Sequence, residues 1–486
     1  MSSSASVIQV PATPSTESPS VSGPASPASE WTEYLGGSGH SSYTTNSQVS
    51  KEAAGHLRLA WTWRPDGPTM TGQPTNGMYS SPTVYQHRIY VGSYTGVFYG
   101  LDEATGTVLW KRFIGFAPSR TCPQSLGVVS TAAVRSVANS DGSGSTPVVY
   151  VAGPDGYLYA LDGVTGAVRW QSLIAQPSSS VNEYFNWSSP TIVGDRVYLG
   201  FASTCDRPLV RGGLAAFDRI TGARLATFHS VPAGSLGGGV WTSAAATSTA
   251  VFITTGNTCE SGSPPESGCT STNQEGDSYS LVRLNPTSLA RVAAWKVPGS
   301  ELYAAGDPDW GSSPVVFEAT VNGTATPLVG ACHKNGIFYV FRADNLSAPL
   351  WKRQIGTAED DGGNACLAAA IFDGSRLFLA GNATTIGGVA YQGSVRRVDP
   401  ATGNVVWARG LSANVYGTPA ANGARVLAVP TSQGAGTYLL DADTGAVLAA
   451  INNGSRADQL FPQPVFADQY LLLTSTFANR LDAYTP

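Results

Sequence analysis

The sequence predicts an all-β protein, an eight-bladed β-propeller of four-stranded antiparallel blades. Three observations lead there: a hairpin-like segment that recurs along most of the chain, a composition suited to short strands and tight turns, and two chain ends that each supply half of one more repeat. The 486 residues include 55 Gly and 31 Pro, while Asp, Glu, Lys and Arg make up only 13%, about half the usual share of a soluble domain. Long surface helices need Glu, Lys and Arg on their wet face, so few are expected. Length alone, at about 150 residues per domain, suggests three domains, but closed β rings exceed that size as single units.

The repeat is clearest in GVFYGLDEATGTVLWKR (96–112), GYLYALDGVTGAVRWQS (156–172), GGLAAFDRITGARLATF (212–228) and GSVRRVDPATGNVVWAR (393–409). Each reads Gly, an alternating apolar strand, Asp, two variable residues, Thr-Gly, and a second strand carrying Trp or another aromatic. Weaker copies are YSLVRLNPTSLARVAAWKV (279–297), GIFYVFRADNLSAPLWKRQ (336–354) and GTYLLDADTGAVLAAI (436–451). Period-2 alternation on both arms, with Asp and Gly at the bend, is a β-hairpin: Asp bonds the turn backbone and Gly takes positive φ. Upstream of most copies lies another strand pair, as in SSPTVYQHRIYVGS (80–93), SSPTIVGDRVYLGF (188–201) and GSSPVVFE (311–318), which completes a four-stranded blade. Seven copies at spacings of roughly 40 to 67 residues fit a radial ring, because each sheet needs neighbours on both faces. The eighth comes from the ends. NRLDAYTP (479–486) is an inner arm and HLRLAWTWRP (56–65) an outer arm, and their pairing closes the ring and hides its edges. Residues 31–486 are therefore expected to form one domain.

Residues 1–30, almost all Ser, Pro, Ala, Thr and Val, read as a disordered linker. They lack the basic and apolar regions of a secretion signal, yet a Ser/Pro stalk ahead of a globular body favours a secreted or cell-envelope protein over a cytosolic one. A net charge of -5 and the lack of any Lys/Arg run argue against nucleic acid as a partner. No stretch approaches 18 apolar residues, so no membrane-spanning helix is expected. The six cysteines (122, 205, 259, 269, 332 and 366) form no CxxC or CxxCH, which removes c-type haem, thioredoxin-like chemistry and zinc ribbons. Disulfides are expected instead. Cys259 with Cys269, flanking one polar loop, is the favoured pair; Cys332 with Cys366 and Cys122 with Cys205 follow by elimination. The alternative is six buried thiols in a cytosolic protein. The five His show no HExxH, and neither a G-x-S-x-G elbow nor a Walker A loop occurs.

The A-x-D-x-x-T-G-x-x-x-W hairpin resembles the tryptophan-docking repeat of the pyrroloquinoline quinone (PQQ) propellers. Those include quinoprotein alcohol dehydrogenases, polyvinyl alcohol dehydrogenases and a non-catalytic outer-membrane assembly factor. The resemblance spans nearly the whole chain after residue 30 and is more specific for fold than for activity. It implies site residues, found here in the family's order. An acid before a V-R-G that opens a hairpin binds calcium, and STCDRPLVRGG offers Asp206, where the family has a Glu one residue closer. A Gly-Gly segment ends in the Trp under the quinone, and GGGVW offers Trp241. A strand ends in T-G-N, whose Asn binds calcium, and VFITTGN offers Asn257. A D-x-W-D-type loop carries the catalytic base, and AAGDPDWGSSP offers Asp309, with Asp307 as fallback. The cation near the quinone oxygens is Lys334, in HKNGIFYVF. The vicinal Cys-Cys of the alcohol dehydrogenases is absent, and only Cys122 stands in the corresponding region as a cofactor-side candidate. Gly311, two residues after Asp309, adds no carboxylate, so a lanthanide-type site is disfavoured.

Each of these residues also has an ordinary reading: Asp in a turn, Asn at a strand end, Trp in a blade core, Lys in solvent. Their order and placement between 200 and 340 favour the site. The implied activity is PQQ- and calcium-dependent oxidation of a small-molecule or polymeric alcohol, polyol or sugar, with electrons passed to a separate acceptor, since no haem motif follows. The rival is a propeller that lacks cofactor and acts as a binding or assembly scaffold. A propeller lyase or hydrolase ranks last, for want of a carboxylate pair at suitable spacing. The two readings differ in one geometric expectation: Asp206, Asn257 and Asp309 should converge at one mouth of the channel, with Trp241 beneath.

Overall fold

The computed structural model describes residues 30–45, 47–66, 77–117, 127–139, 141–175, 184–206, 208–259, 276–302, 307–357, 364–432, 436–453 and 460–486. Residues 1–29 of the expected linker, Cys122, Cys269 and most of the loops around 260–275 and 358–363 lie outside the described residues. Eight separate antiparallel sheets form the body. Blades 1 to 6 take residues 83–113, 133–173, 184–229, 245–296, 315–354 and 371–411, and blade 7 takes 420–451. Blade 8 takes Val465–Ala467, Tyr470–Ser475 and Arg480–Thr485, with Arg58–Trp63 as its outermost strand. The expected closure is therefore present, in the register Arg58↔Thr485 to Trp63↔Leu481. One ring replaces the three domains suggested by length.

The hairpin motif has a packing reason. In blade 2, Asp162 Oδ1 accepts from the backbone of Val164 and Thr165 and from the Thr165 hydroxyl, and Gly166 follows at φ +70°. A Cβ on Gly166 would lie 2.4 Å from the Trp110 ring of blade 1, whose Nε1 donates to Gly163 O at 2.9 Å. The outer Trp of one blade thus docks on the Thr-Gly bend of the next. Trp61 on Gly106, Trp170 on Gly222, Trp351 on Gly403 and Trp407 on Gly445 repeat the contact. Blade 4 has no Thr-Gly, and Leu289 takes the positive φ there. The motif carboxylates are consequently turn formers rather than site candidates.

One belt of hydrogen bonds lines the centre. Ser81, Thr131, Ser189 and Ser243 each receive the next blade's hydroxyl on their backbone N–H at 2.9–3.0 Å, and Gln463 closes onto Ser81. Blade 6 places Ala369 in this belt, which leaves Ser313 without the next hydroxyl; the buried Tyr34 hydroxyl fills the gap by bonding Ser313 and Thr418.

Tyr34 belongs to a segment with no sequence expectation beyond lying in the domain. Residues 31–45 and 47–48 run around the far ends of the innermost strands and bond every blade in ring order. Trp31 pairs with Val84, and Thr32 O accepts from Val134 N. The Glu33 carboxylate accepts from Ile192 N. Ser38, Gly39, Ser41 and Ser42 carbonyls accept from Ala246, Val316, Phe372 and Ala421, and Gln48 N donates to Asp468 O. Tyr43–Thr44 adds a parallel strand to blade 7. Trp31, Leu35 and His40 are buried within this plug, which otherwise unpaired strand ends make favourable.

Candidate active site

The innermost strands run from the belt toward the plug, so the segments preceding the belt line the opposite mouth. Trp241 and Asp309 precede the innermost strands of blades 4 and 5; Asn257 follows Val251–Thr254 of blade 4; Asp206 and Lys334 lie in turns of blades 3 and 5. Asp206, Asn257, Asp307, Asp309, Lys334 and Trp241 are all brought together in one sector of that mouth. Asn257 Nδ2 donates to Asp206 Oδ2 at 2.8 Å and to Asp307 Oδ1 at 2.5 Å. Lys334 Nζ pairs with Asp309 Oδ1 at 2.5 Å and also with Asp307. Trp241 Nε1 donates to Asp309 Oδ2 at 2.8 Å, and Lys334 Nζ lies 5.1 Å from the centre of the Trp241 ring.

The glycines before Trp241 make this proximity possible. Gly238 N donates to Asn257 O and Gly256 N to Gly239 O, both at 2.7 Å. A Cβ on Gly237, at φ +106°, would lie 2.5 Å from Asn257 O. Only bare backbone lets the two segments meet.

Burial sets the electrostatics. Lys334 and Asp309 side chains are 7% and 3% exposed, whereas Asp307 is 54% exposed. Burial, then the Asp307 charge, raises the Asp309 carboxyl well above the carboxylate range, against the pull of Lys334. Burial also raises Asp206, partly offset by its Asn257 bond. Asp307 is lowered, because Lys334 outweighs its burial. Burial opposes the charge on Lys334, but Asp309 and Asp307 outweigh it and raise its pKa. His333 is held neutral by burial and by Lys334, with its pKa lowered to about 3.

Four aromatics in the register of Trp241 were missed by the sequence reading. Tyr79, Trp187, Tyr416 and Phe461 stand two residues before the belt, in the register that Trp241 occupies in blade 4. Phe461 stacks on Tyr79 and on Tyr416, each at 5.6 Å. Trp187 Nε1 donates to Ser203 O and Thr204 O, beneath the Asp206 turn. The signal was available as an aromatic two positions before Ser81-Pro82, Ser189-Pro190, Thr418-Pro419 and Gln463-Pro464, but it is visible only once the blades are aligned. Cys122 cannot be placed against this group, since it lies outside the described residues.

Fold and geometry define a class: an eight-bladed propeller with a buried acid, amide and cation cluster at one mouth. The chain belongs to the family described as the glucose/ethanol/alcohol dehydrogenase β-propeller domain, whose model matches residues 31–347. The model of the outer membrane protein assembly factor BamB matches residues 334–448 and 391–475. Quinohemoprotein alcohol dehydrogenase ADH-IIG of Pseudomonas putida is 27% identical over 190 residues, 39% of this chain and 24% of the relative, so the match spans about a quarter of that protein. Among solved structures, a europium-containing methanol dehydrogenase superposes with a TM-score of 0.71 at 16% identity, covering 94% of this chain and 98% of that one. The quinohemoprotein alcohol dehydrogenase of Comamonas testosteroni gives 0.69 at 17%, covering 94% and 80%. BamB from Moraxella catarrhalis gives 0.53 at 15%, covering 88% and 100%. At these identities the superpositions bear on fold alone.

Proposed function

We propose that this protein is a quinoprotein alcohol dehydrogenase that uses PQQ and calcium to oxidise a hydroxyl of a small-molecule or polymeric alcohol, polyol or sugar to a carbonyl. Electrons pass to a separate acceptor. The observation that carries the reading is the convergence of Asp206, Asn257, Asp307, Asp309, Lys334 and Trp241 at one mouth, in a chain whose family model covers that region.

The residues fit the groups. Asn257 Oδ1 is buried without a hydrogen-bond partner among the described residues, while its amide nitrogen faces two carboxylates. A calcium ion among those carboxylates would favour the opposite amide orientation, with Oδ1 and Asp206 as hard oxygen ligands. Bound there, the quinone supplies a hydride acceptor and calcium the Lewis acidity that makes its carbonyl electrophilic. Trp241 offers a flat indole on which a planar ring would stack, and Lys334 would supply a fixed positive charge to stabilise negative charge on the quinone. Asp309 is the general base: one of its oxygens takes the substrate hydroxyl proton as the carbinol hydrogen departs. Asp307 is the fallback for that role. A divalent cation beside Asp309 opposes the effect of burial and favours its basic form.

A disulfide between Cys332 and Cys366, with Cys205 and Cys259 also disulfide-bonded, supports a secreted or cell-envelope location. Partners of the latter two lie outside the described residues. No helix among the described residues is long and apolar enough to cross a membrane. The scaffold reading retains one supporting observation, the BamB match over the later blades. Titration with PQQ in the presence of calcium, followed by dye-linked oxidation across an alcohol and polyol panel, separates the two. Absence of PQQ binding, or full activity in Asp309→Asn, overturns the dehydrogenase reading.

A further inference from the structure

On the face opposite the mouth, three turns meet where the ring closes. His87 and Glu103 come from two turns of blade 1, and Asp468 from a turn of blade 8. Their ligand atoms all lie within 4.8 Å of one another. His87 Nδ1 is 3.2 Å from Glu103 Oε2 and 3.3 Å from Asp468 Oδ2. These two separations are hydrogen-bond distances, and they also lie close to the roughly 3.3–3.5 Å between neighbouring donors that zinc bonds of about 2.0–2.2 Å at tetrahedral angles require.

The backbone holds the donors in place. Glu103 N donates to His87 O at 3.1 Å, Trp61 Nε1 donates to Glu103 O at 3.0 Å, and Asp468 O accepts from Gln48 N at 2.9 Å. A second observation points to a ligand: Glu103 is 2% exposed, and its other oxygen, Oε1, is buried with no hydrogen-bond partner among the described residues. A buried carboxylate with an unmade bond, beside the Asp468 carboxylate that Glu30 also repels, is costly with His87 alone as partner. His87, with 72% of its side chain exposed, keeps the group open to an incoming ion.

We propose that His87, Glu103 and Asp468 form a metal site for a divalent ion of the zinc class, which staples blade 1 to blade 8 at the seam of the ring. One nitrogen and two carboxylate donors, with water in the fourth position, match zinc better than calcium. Among the described residues, no cysteine is free to compete for the ion.

The test uses the full-length protein without a histidine tag, stripped by chelator. Zinc chloride is titrated calorimetrically with millimolar calcium present, and melting is recorded with and without zinc. One equivalent should bind and raise the melting temperature by several degrees. His87→Ala, at an exposed position, and Asp468→Asn should each weaken zinc binding at least tenfold and remove the melting shift. Asp206→Asn, at the other face, should leave both unchanged. Absence of zinc binding, unchanged affinity in His87→Ala and Asp468→Asn, or loss in Asp206→Asn overturns the proposal.

Discussion

Asp309 stands where three influences meet: nearly complete burial, the Asp307 charge, and the Lys334 ammonium. Replacing it by Asn keeps its size and its acceptor for Trp241 Nε1 but removes the proton acceptor. In protein loaded with PQQ and calcium, Asp309→Asn should lower kcat by about 10²–10⁴-fold, the usual weight of a general base, with melting little changed. Asn257→Ala removes one hard oxygen and should raise the calcium concentration for half-maximal activity at least ~10-fold, the usual order for a lost metal contact. His40 belongs to stability rather than chemistry. It is buried, its Nδ1 lies 2.8 Å from Pro314 O, and burial lowers its pKa to about 4. An unfolded His takes up a proton below about 6.5, while the folded one stays neutral until about pH 4, so stability falls as pH drops through that interval. The loss approaches about 3 kcal/mol, and melting curves from pH 7 to 4 should show a flatter slope in His40→Phe.

At the scale of the element, the hairpin was legible because every functional part of it has a residue-type requirement. Asp bonds the turn, Gly takes positive φ and admits the neighbouring Trp, and alternation marks the buried face. Gly166→Ala violates two of these at once, straining the turn and pressing on Trp110. It should destabilise the protein by about 2–4 kcal/mol, measured by denaturant unfolding. Candidate site residues were legible only through resemblance: an Asp in AAGDPDWG or an Asn after a strand reads equally as turn chemistry. The aromatics at 79, 187, 416 and 461 escaped notice because each sits in a different blade, and their common register exists only between blades. The plug left no signal either. Most of its bonds run from its own carbonyls to backbone N–H groups, which any side chain permits, the Glu33 carboxylate and Tyr34 hydroxyl being exceptions.

For the whole molecule, closure is the governing event. Blade 8 joins chain positions more than 400 residues apart, as in Trp63↔Leu481, so this blade is not complete until both ends are present. Residues 31–45 and 47–48 then bind the far rim of all eight blades and leave the mouth with Asp309 as the facing side. Removing residues 1–48 deletes bonds to every blade and the buried Trp31 and Leu35. At about 1 kcal/mol per net hydrogen bond plus the apolar burial, the loss should exceed ~5 kcal/mol and appear as a lower melting temperature.

By itself, the sequence determined the blade count, the hairpin in each blade and the pairing of the two ends. These follow from local chemistry repeated many times: turn residues, alternation and a Trp that needs a Gly opposite. The tertiary structure alone decided that the far rim is plugged, that one Tyr hydroxyl completes a belt broken by Ala369, and that carboxylates from blades 3 and 5 face an amide from blade 4. Those outcomes depend on distances between segments far apart in the chain, set by ring geometry rather than by any residue's own preference.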